Sequence, residues 1–141
     1  IQHDLRVFPY PFQNGFFDEV FSHHLIEHLN QKEGMLAISE MFRILKSRGK
    51  LKIYTHDMAV VAQYIISCEY PDTDLCIPSN SLPPFEYVFR TGTAWQFDKH
   101  NWGYTPKTLR RLLEKTGFIN IGRGFEGVFG NYEFMFEAYK L

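Results

Sequence analysis

The sequence predicts an α/β fold: a parallel pair of strands joined through a helix, then an antiparallel final pair. Three observations carry this. Phe16–Ser22 is a short apolar and aromatic run of buried-strand type, Asn30–Lys46 is patterned as an amphipathic helix, and Leu51–Thr55 follows at once as a second apolar strand. Strand, helix and strand with short links form a βαβ unit, whose two strands run parallel. Near the end, Phe118–Phe125 and Tyr132–Tyr139 are strand-like runs around a Gly-rich turn, which reads as an antiparallel pair.

Each element has local reasons. Ile1–Leu5 reads as the end of a strand or the loop just after one. Arg6–Gly15 is loop, with Pro9, Pro11 and the turn dipeptide Asn14-Gly15. His23–Leu29 begins a short helix. Asn30 can cap the helix that follows, and Met35, Leu36, Ile38, Met41, Phe42, Ile44 and Leu45 make its apolar stripe. Lys46, Arg48 and Lys50 stand where the helix dipole favours cations, and Gly49 is the expected left-handed stop. Ala59–Cys68 is a second helix. Thr105–Thr116 is a third, with Thr105 as N-cap, Pro106 at its first position, Leu109, Leu112 and Leu113 as stripe, and Gly117 as stop. Between them lies an irregular stretch rich in proline and aromatic residues, 69–104, which reads as an insertion or lid.

Composition narrows the function. The chain of 141 residues fits one domain, 1–141. A net charge of −1 without a Lys/Arg block gives no reason to expect nucleic acid or an anionic membrane as partner. No apolar run approaches the roughly 18–20 residues of a membrane span. Cys68 and Cys76, in C-x7-C spacing, match neither a metal knuckle nor a redox pair and read as reduced thiols, so a cytoplasmic location is expected. The chain opens on Ile1 and runs straight into patterned sequence, which reads as an internal start.

One string competes for attention. His24-Leu25-Ile26-Glu27-His28 is H-x-x-E-H, the inverted zinc-peptidase pattern. A peptidase needs both histidines on one face of a continuous helix, a third ligand and an open coordination position. Here the string follows a strand with little helix before it, and no third ligand stands out among Glu69, Glu86 and His100. In open α/β sheets, ligands bind at the carboxyl ends of the parallel strands. That rule puts Ser22, His23 and His24 at the mouth of a small-molecule site.

The same residues carry a family likeness. Asp4-Leu5, the run from Pro11 to Ser22, and His23-His24-Leu25-Ile26-Glu27-His28-Leu29 resemble the second half of a class I S-adenosylmethionine-dependent methyltransferase. So does Met41-Phe42-Arg43-Ile44-Leu45-Lys46-Ser47-Arg48-Gly49-Lys50-Leu51, with Ser47-Arg48 where the family has Pro-Gly. Tyr104, Leu109, Leu112-Leu113 and Gly117-Phe118, then Ala138-Tyr139-Lys140, extend the likeness to the C-terminus. It implies an incomplete Rossmann-like methyltransferase fold and S-adenosylmethionine as cofactor. Asp4 would accept from the adenine amino group, with the Leu5 amide near the ring. Ser22 and His23 would line the methionine end. His24 and His28 would stand at the methyl-transfer face, one of them as general base. Glu27, His100 and Tyr104 would contact a small-molecule acceptor.

The family's Gly-rich G-x-G-x-G loop and the acid ending its second strand have no counterpart; the sole Gly-x-Gly, Gly122-Arg123-Gly124, lies in a late strand. The expectation is therefore the C-terminal half of a methyltransferase domain, impaired as an enzyme on its own. Its parallel edge, Phe17–Phe21 with Leu51–Tyr54, would be open to self-association or to another chain. Two other functions stay in view: a non-catalytic half-domain acting as a binding or oligomerisation module, and a zinc hydrolase using H-x-x-E-H.

Overall fold

The computed structural model describes residues 1–67, 99–124 and 132–141. In chain order these form strand β1 (Phe17–His23), a 3-10 turn (Ile26–His28), helix α1 (Gln31–Ile44), strand β2 (Leu45–His56), helix α2 (Met58–Ser67), helix α3 (Pro106–Thr116), strand β3 (Ile119–Gly124) and strand β4 (Glu133–Tyr139). Cys68, Cys76, the bulk of the Pro-rich stretch and the turn between β3 and β4 fall outside the described residues.

The four strands make one sheet in the order β1-β2-β4-β3. β1 runs parallel to β2, with Ser22 opposite Ile53 and His23 opposite Tyr54. β4 runs antiparallel to β2 on one side and to β3 on the other. The α/β class and the antiparallel final pair are as the sequence predicts. The expected open edge needs correction in one part. β1 does stand at the end of the described sheet, with Phe21 59% exposed. Leu51–Tyr54 does not, because β4 returns from the far end of the chain and hydrogen-bonds to its other side.

α1 forms where the sequence pattern places it and Asn30 caps it, but of the expected stripe Met35 and Leu36 face outward, 49% and 42% exposed. The Asn30 side chain accepts from the Glu33 amide at 3.0 Å, while the Glu33 carboxylate accepts from the Asn30 amide at 2.9 Å. This reciprocal box satisfies two otherwise orphaned amides. Its buried side, Ala37, Ile38, Met41 and Ile44, packs with Leu51 and Ile53 of β2, Phe134, Phe136 and Ala138 of β4, and Leu109 and Leu113 of α3 in one core. α3 has a second capping box, Thr105 with Thr108, and ends at Gly117, whose φ of 110° is left-handed.

The C-terminal end of α1 departs from expectation. The helix stops at Ile44, and the chain is already extended at Leu45, so Gly49 is not its stop. Residues 46–49 instead bulge out of the ladder, since Phe17 faces Leu45 while Glu19 faces Lys50. The left-handed residue is Arg48, at φ 64°. Gly49 is needed for space: a Cβ there would sit 2.8 Å from the Lys46 carbonyl oxygen. Nor do the nearby lysines serve the helix carbonyls. Lys46 pairs with Asp18 at 2.8 Å and Lys50 with Glu19 at 3.0 Å. The cation at the helix end is Lys140, whose ammonium donates to the carbonyls of Phe42 at 2.9 Å and Leu45 at 2.8 Å. A residue just past the last strand thus does what local basic residues were expected to do.

Arg43 holds the loop before β1. Its guanidinium forks onto Glu40 at 2.8 and 2.7 Å, and donates to the carbonyls of Phe12 at 2.8 Å and Tyr10 at 3.0 Å. It also reaches the Asn14 side chain at 2.7 Å, and the Glu40 carboxylate accepts from the Tyr10 amide at 2.7 Å. The hydrogen bond from Arg43 holds the Glu40 carboxyl below the usual carboxylate range, against its burial and with help from the Tyr10 amide. Arg43→Ala should lower stability by about 2–3 kcal/mol, since several charge-assisted bonds vanish together. Because the folded-state pKa of Glu40 is depressed, its contribution is present above the ordinary carboxylate range and is lost as pH falls through it toward the depressed value. Urea denaturation at a series of pH values should therefore show a smaller acid-induced loss in the variant than in the parent chain.

Candidate functional site

The carboxyl ends of the two parallel strands are His23 and His56, in adjacent strands of the sheet. Four segments converge there: the turn after β1, the end of β2, residues 99–104, and the start of β4, where Glu133 is opposite His56.

Glu27 is the centre of this convergence. It sits in the 3-10 turn and is only 2% exposed. A buried carboxylate must be paired and hydrogen-bonded. One oxygen accepts from the Thr55 hydroxyl at 3.1 Å. The other lies 2.9 Å from His24 Nδ1 and 3.4 Å from His56 Nε2. His24 Nε2 is 3.0 Å from Glu133, so the ring bridges two carboxylates. Burial works against a charge on His24, but the hydrogen bonds to Glu133 and then Glu27 outweigh it and carry its pKa up to about 9. His24 is thus an imidazolium at neutral pH in this arrangement, which suits a structural cation better than a base.

The Glu27 main chain is also used. Its carbonyl accepts from the amides of Asn101 at 2.7 Å and Trp102 at 3.1 Å. The Asn101 side chain donates to the His28 carbonyl at 2.6 Å, and His28 Nδ1 lies 3.2 Å from the Lys99 carbonyl. A carbonyl only accepts, so Nδ1 is the donor in this contact. These bonds bring His100 beside the others. The ring centroids of His56 and His100 are 4.7 Å apart, and those of His28 and His100 are 5.1 Å apart.

The remaining sequence candidates divide. His23 is exposed, stacked on Phe21 and edge-on to His24 at 4.4 Å. Ser22 is buried, and its hydroxyl has no hydrogen-bond partner among the described residues. Tyr104 is buried in the main core, where burial pushes its hydroxyl pKa up to about 12 with Glu27 adding to the rise. Its carbonyl accepts from the Met58 amide, and its ring lines a groove of about 360 Å³ between α1 and α3. Asp4 and Leu5 belong to a different set of contacts. The half-exposed Asp4 carboxylate is held by Arg6 Nε and Nη2 at 3.0 Å, and the Leu5 carbonyl accepts from the Tyr10 hydroxyl at 3.2 Å. The Arg6 side-chain hydrogen bond keeps the Asp4 carboxyl below its usual range.

Sequence reasoning missed Thr55, His56 and Glu133. The strand-end rule that singled out Ser22–His24 applies equally to Thr55-His56 at the end of β2 and was a usable signal. Glu133 had none, because only the antiparallel register brings it opposite His56. The peptidase arrangement is not formed. His24 has φ 45° and precedes the turn, so it and His28 do not share a continuous helix.

The fold defines a class: one side of a Rossmann-like sheet that ends in an antiparallel pair. Comparison with known proteins makes it particular. Residues 1–53 match the methyltransferase domain family. A Pyrococcus horikoshii protein superposes with a TM-score of 0.65 at 19% identity, over 100% of this chain and 58% of its own. An S-adenosylmethionine-dependent methyltransferase from Archaeoglobus fulgidus gives 0.63 at 14% identity, over 99% of this chain and 66% of its own. A Thermotoga maritima methyltransferase, described as a possible histamine N-methyltransferase, gives 0.64 at 15% identity, over 100% and 63%. No curated protein sequence matches. The fold is that of the S-adenosylmethionine-dependent methyltransferases. The chain spans less than two thirds of the length of these structures. No helix among the described residues is long and apolar enough to cross a membrane.

Glu27→Ala should cost about 3–5 kcal/mol, because it removes one of the two carboxylates that compensate His24 and the acceptor of the buried Thr55 hydroxyl. Glu27→Gln, which keeps an acceptor for Thr55, should cost less. Urea unfolding of both variants checks the order.

Proposed function

We propose that the chain is the C-terminal part of a methyltransferase domain that moves a methyl group from S-adenosylmethionine to a small-molecule acceptor. One observation carries this. The segment matched by the methyltransferase family, residues 1–53, delivers Ser22, His23 and His24 to the carboxyl end of the parallel pair. Ligands bind at that place in open α/β sheets.

The residues fit the cofactor in two respects. The buried Ser22 hydroxyl at the strand end has no partner among the described residues, and the polar methionine end of the cofactor would supply one. The Asp4 carboxylate is at the surface and, among the described residues, is paired with the exposed Arg6, so an adenine amino group can share or replace that partner. Bound S-adenosylmethionine supplies an electrophilic methyl on a sulfonium sulfur. The chain's own task is to align an acceptor with that methyl and receive the proton the acceptor loses. Asp4 and the Leu5 amide hold the adenine, and Ser22 and His23 the methionine end. His24 and His28 face the transfer. With His24 fixed between two carboxylates, His28 is the candidate for the base. Glu27 acts from behind by orienting His24, while His100 and Tyr104 bound the acceptor side. In this reading the domain runs over 1–141 with 69–104 as its insertion or lid.

The edge position of β1 and the exposed Phe21 favour a second reading, in which the chain is a non-catalytic module that completes its sheet with another chain. Sedimentation of the chain alone tests it through the oligomer it requires.

Calorimetric titration with S-adenosylhomocysteine tests the methyltransferase reading, on the chain alone and on the chain fused behind the Gly-rich N-terminal half of a related domain. Saturable binding is expected in at least the fused form, weakened about tenfold or more by Asp4→Ala. Absence of binding in both forms, or binding indifferent to Asp4 and Ser22 substitution, would sink it.

A further inference from the structure

We propose that Glu27, His28 and His100 form a binding site for a divalent transition-metal cation. Methyl transfer from a sulfonium does not call for such a site, and the inference stands apart from that reading.

The donors are already gathered. One ligand atom from each of Glu27, His28 and His100 lies within 4.8 Å of the other two. Donors around a tetrahedral ion with bonds near 2.0–2.1 Å are about 3.4 Å apart, so closure needs only small side-chain rotations. Glu27 is the fixed member, being buried, while the half-buried rings of His28 and His100 can turn toward it.

The donors are also oriented. The Thr55 hydroxyl holds one Glu27 oxygen at 3.1 Å. The Lys99 carbonyl accepts a hydrogen bond from His28 Nδ1, which assigns Nε2 the role of ligand atom. Metal-binding histidines commonly have such an outer partner on the second nitrogen. The two ligand-bearing segments are clamped main chain to main chain, through the Asn101 and Trp102 amides on Glu27 and the Asn101 side chain on His28. A loop some seventy residues distant in sequence is thus locked at the turn that carries the other two ligands.

Satisfying the Glu27 carboxylate does not account for the cluster. The Thr55 hydroxyl and His24 already engage its two oxygen atoms. Yet His56 forms, with His24 and Glu27, a second group of close donors that shares the same carboxylate. Four imidazoles around one carboxylate are more than an ion pair requires. Two imidazoles and one carboxylate suit borderline ions such as Zn²⁺ or Co²⁺, whereas Mg²⁺ and Ca²⁺ prefer all-oxygen sites. This site differs from the H-x-x-E-H arrangement, because its second histidine comes from residue 100 and His24 is engaged with Glu133. One consequence does rest on the methyl-transfer reading: a cation here would acidify a coordinated acceptor hydroxyl, relieving His28 of the role of base.

The test is titration of the full chain with Co²⁺, followed by its d–d absorption, and with Zn²⁺ in competition with a chromophoric chelator. One cation per chain is expected. His28→Ala and His100→Ala should each weaken it at least about tenfold, and His23→Ala should leave it unchanged. Circular dichroism and S-adenosylhomocysteine binding of the same variants separate lost ligands from lost fold, and separate this inference from the methyltransferase reading. No saturable Co²⁺ or Zn²⁺ binding by the parent chain would overturn it. So would binding that survives both His28→Ala and His100→Ala, including binding that only His24→Ala and His56→Ala remove.

Discussion

The arrangement of the strand-end site depends on burying one carboxylate. Glu27 sits 2% exposed in a turn of three residues, where an unpaired charge would cost several kcal/mol. The neighbours that relieve this cost come from two segments: His24 from just after β1, Thr55 and His56 from the end of β2. The Glu27 main chain repeats the pattern by taking two amides from residues 101 and 102. A group that demands so many partners specifies one arrangement of the segments that supply them. The same demand draws a ring of histidines to the place where the sheet topology presents its ligand-binding end.

Two cations perform the matching task at the other end of α1. Arg43 gathers the loop of residues 10–14 onto the helix, and Lys140 closes the helix carbonyls. Both act on main-chain oxygen atoms. Their positions in the chain differ instructively. Arg43 lies within the Met41–Leu51 segment of family likeness, so its presence was visible though its partners were not. Lys140 is near the C-terminus, and only the pairing of β4 against β2 brings it to the helix end.

That contrast explains what could be read in advance. Both N-caps, most of the apolar stripe of α1, the proline at the start of α3 and its glycine stop depend on residues within a few positions of one another, and they were legible. The helix stop at Gly49 was misread because the actual termination comes from a residue nearly a hundred positions away. The central place of Leu51–Tyr54 was misread for the same reason, since its second neighbour is the last strand. In the site, His24 and Glu27 were singled out by a strand-end rule and a short string. Glu133 was not, and His100 was named without any means of knowing that it would meet His28 and His56.

By itself, the sequence determined the α/β class, the elements and their caps, and the likeness to S-adenosylmethionine-dependent methyltransferases, because each rests on short-range periodicity, capping chemistry or contiguous motifs. Tertiary structure decided what those residues do to one another. It set His24 between two carboxylates, turned H-x-x-E-H from a helical pair into a turn, and assembled Glu27, His28 and His100. Side-chain charge and donor geometry are settled by neighbours in space, and the antiparallel return of β4 and the main-chain clamp at Asn101 choose those neighbours from segments with no local signal.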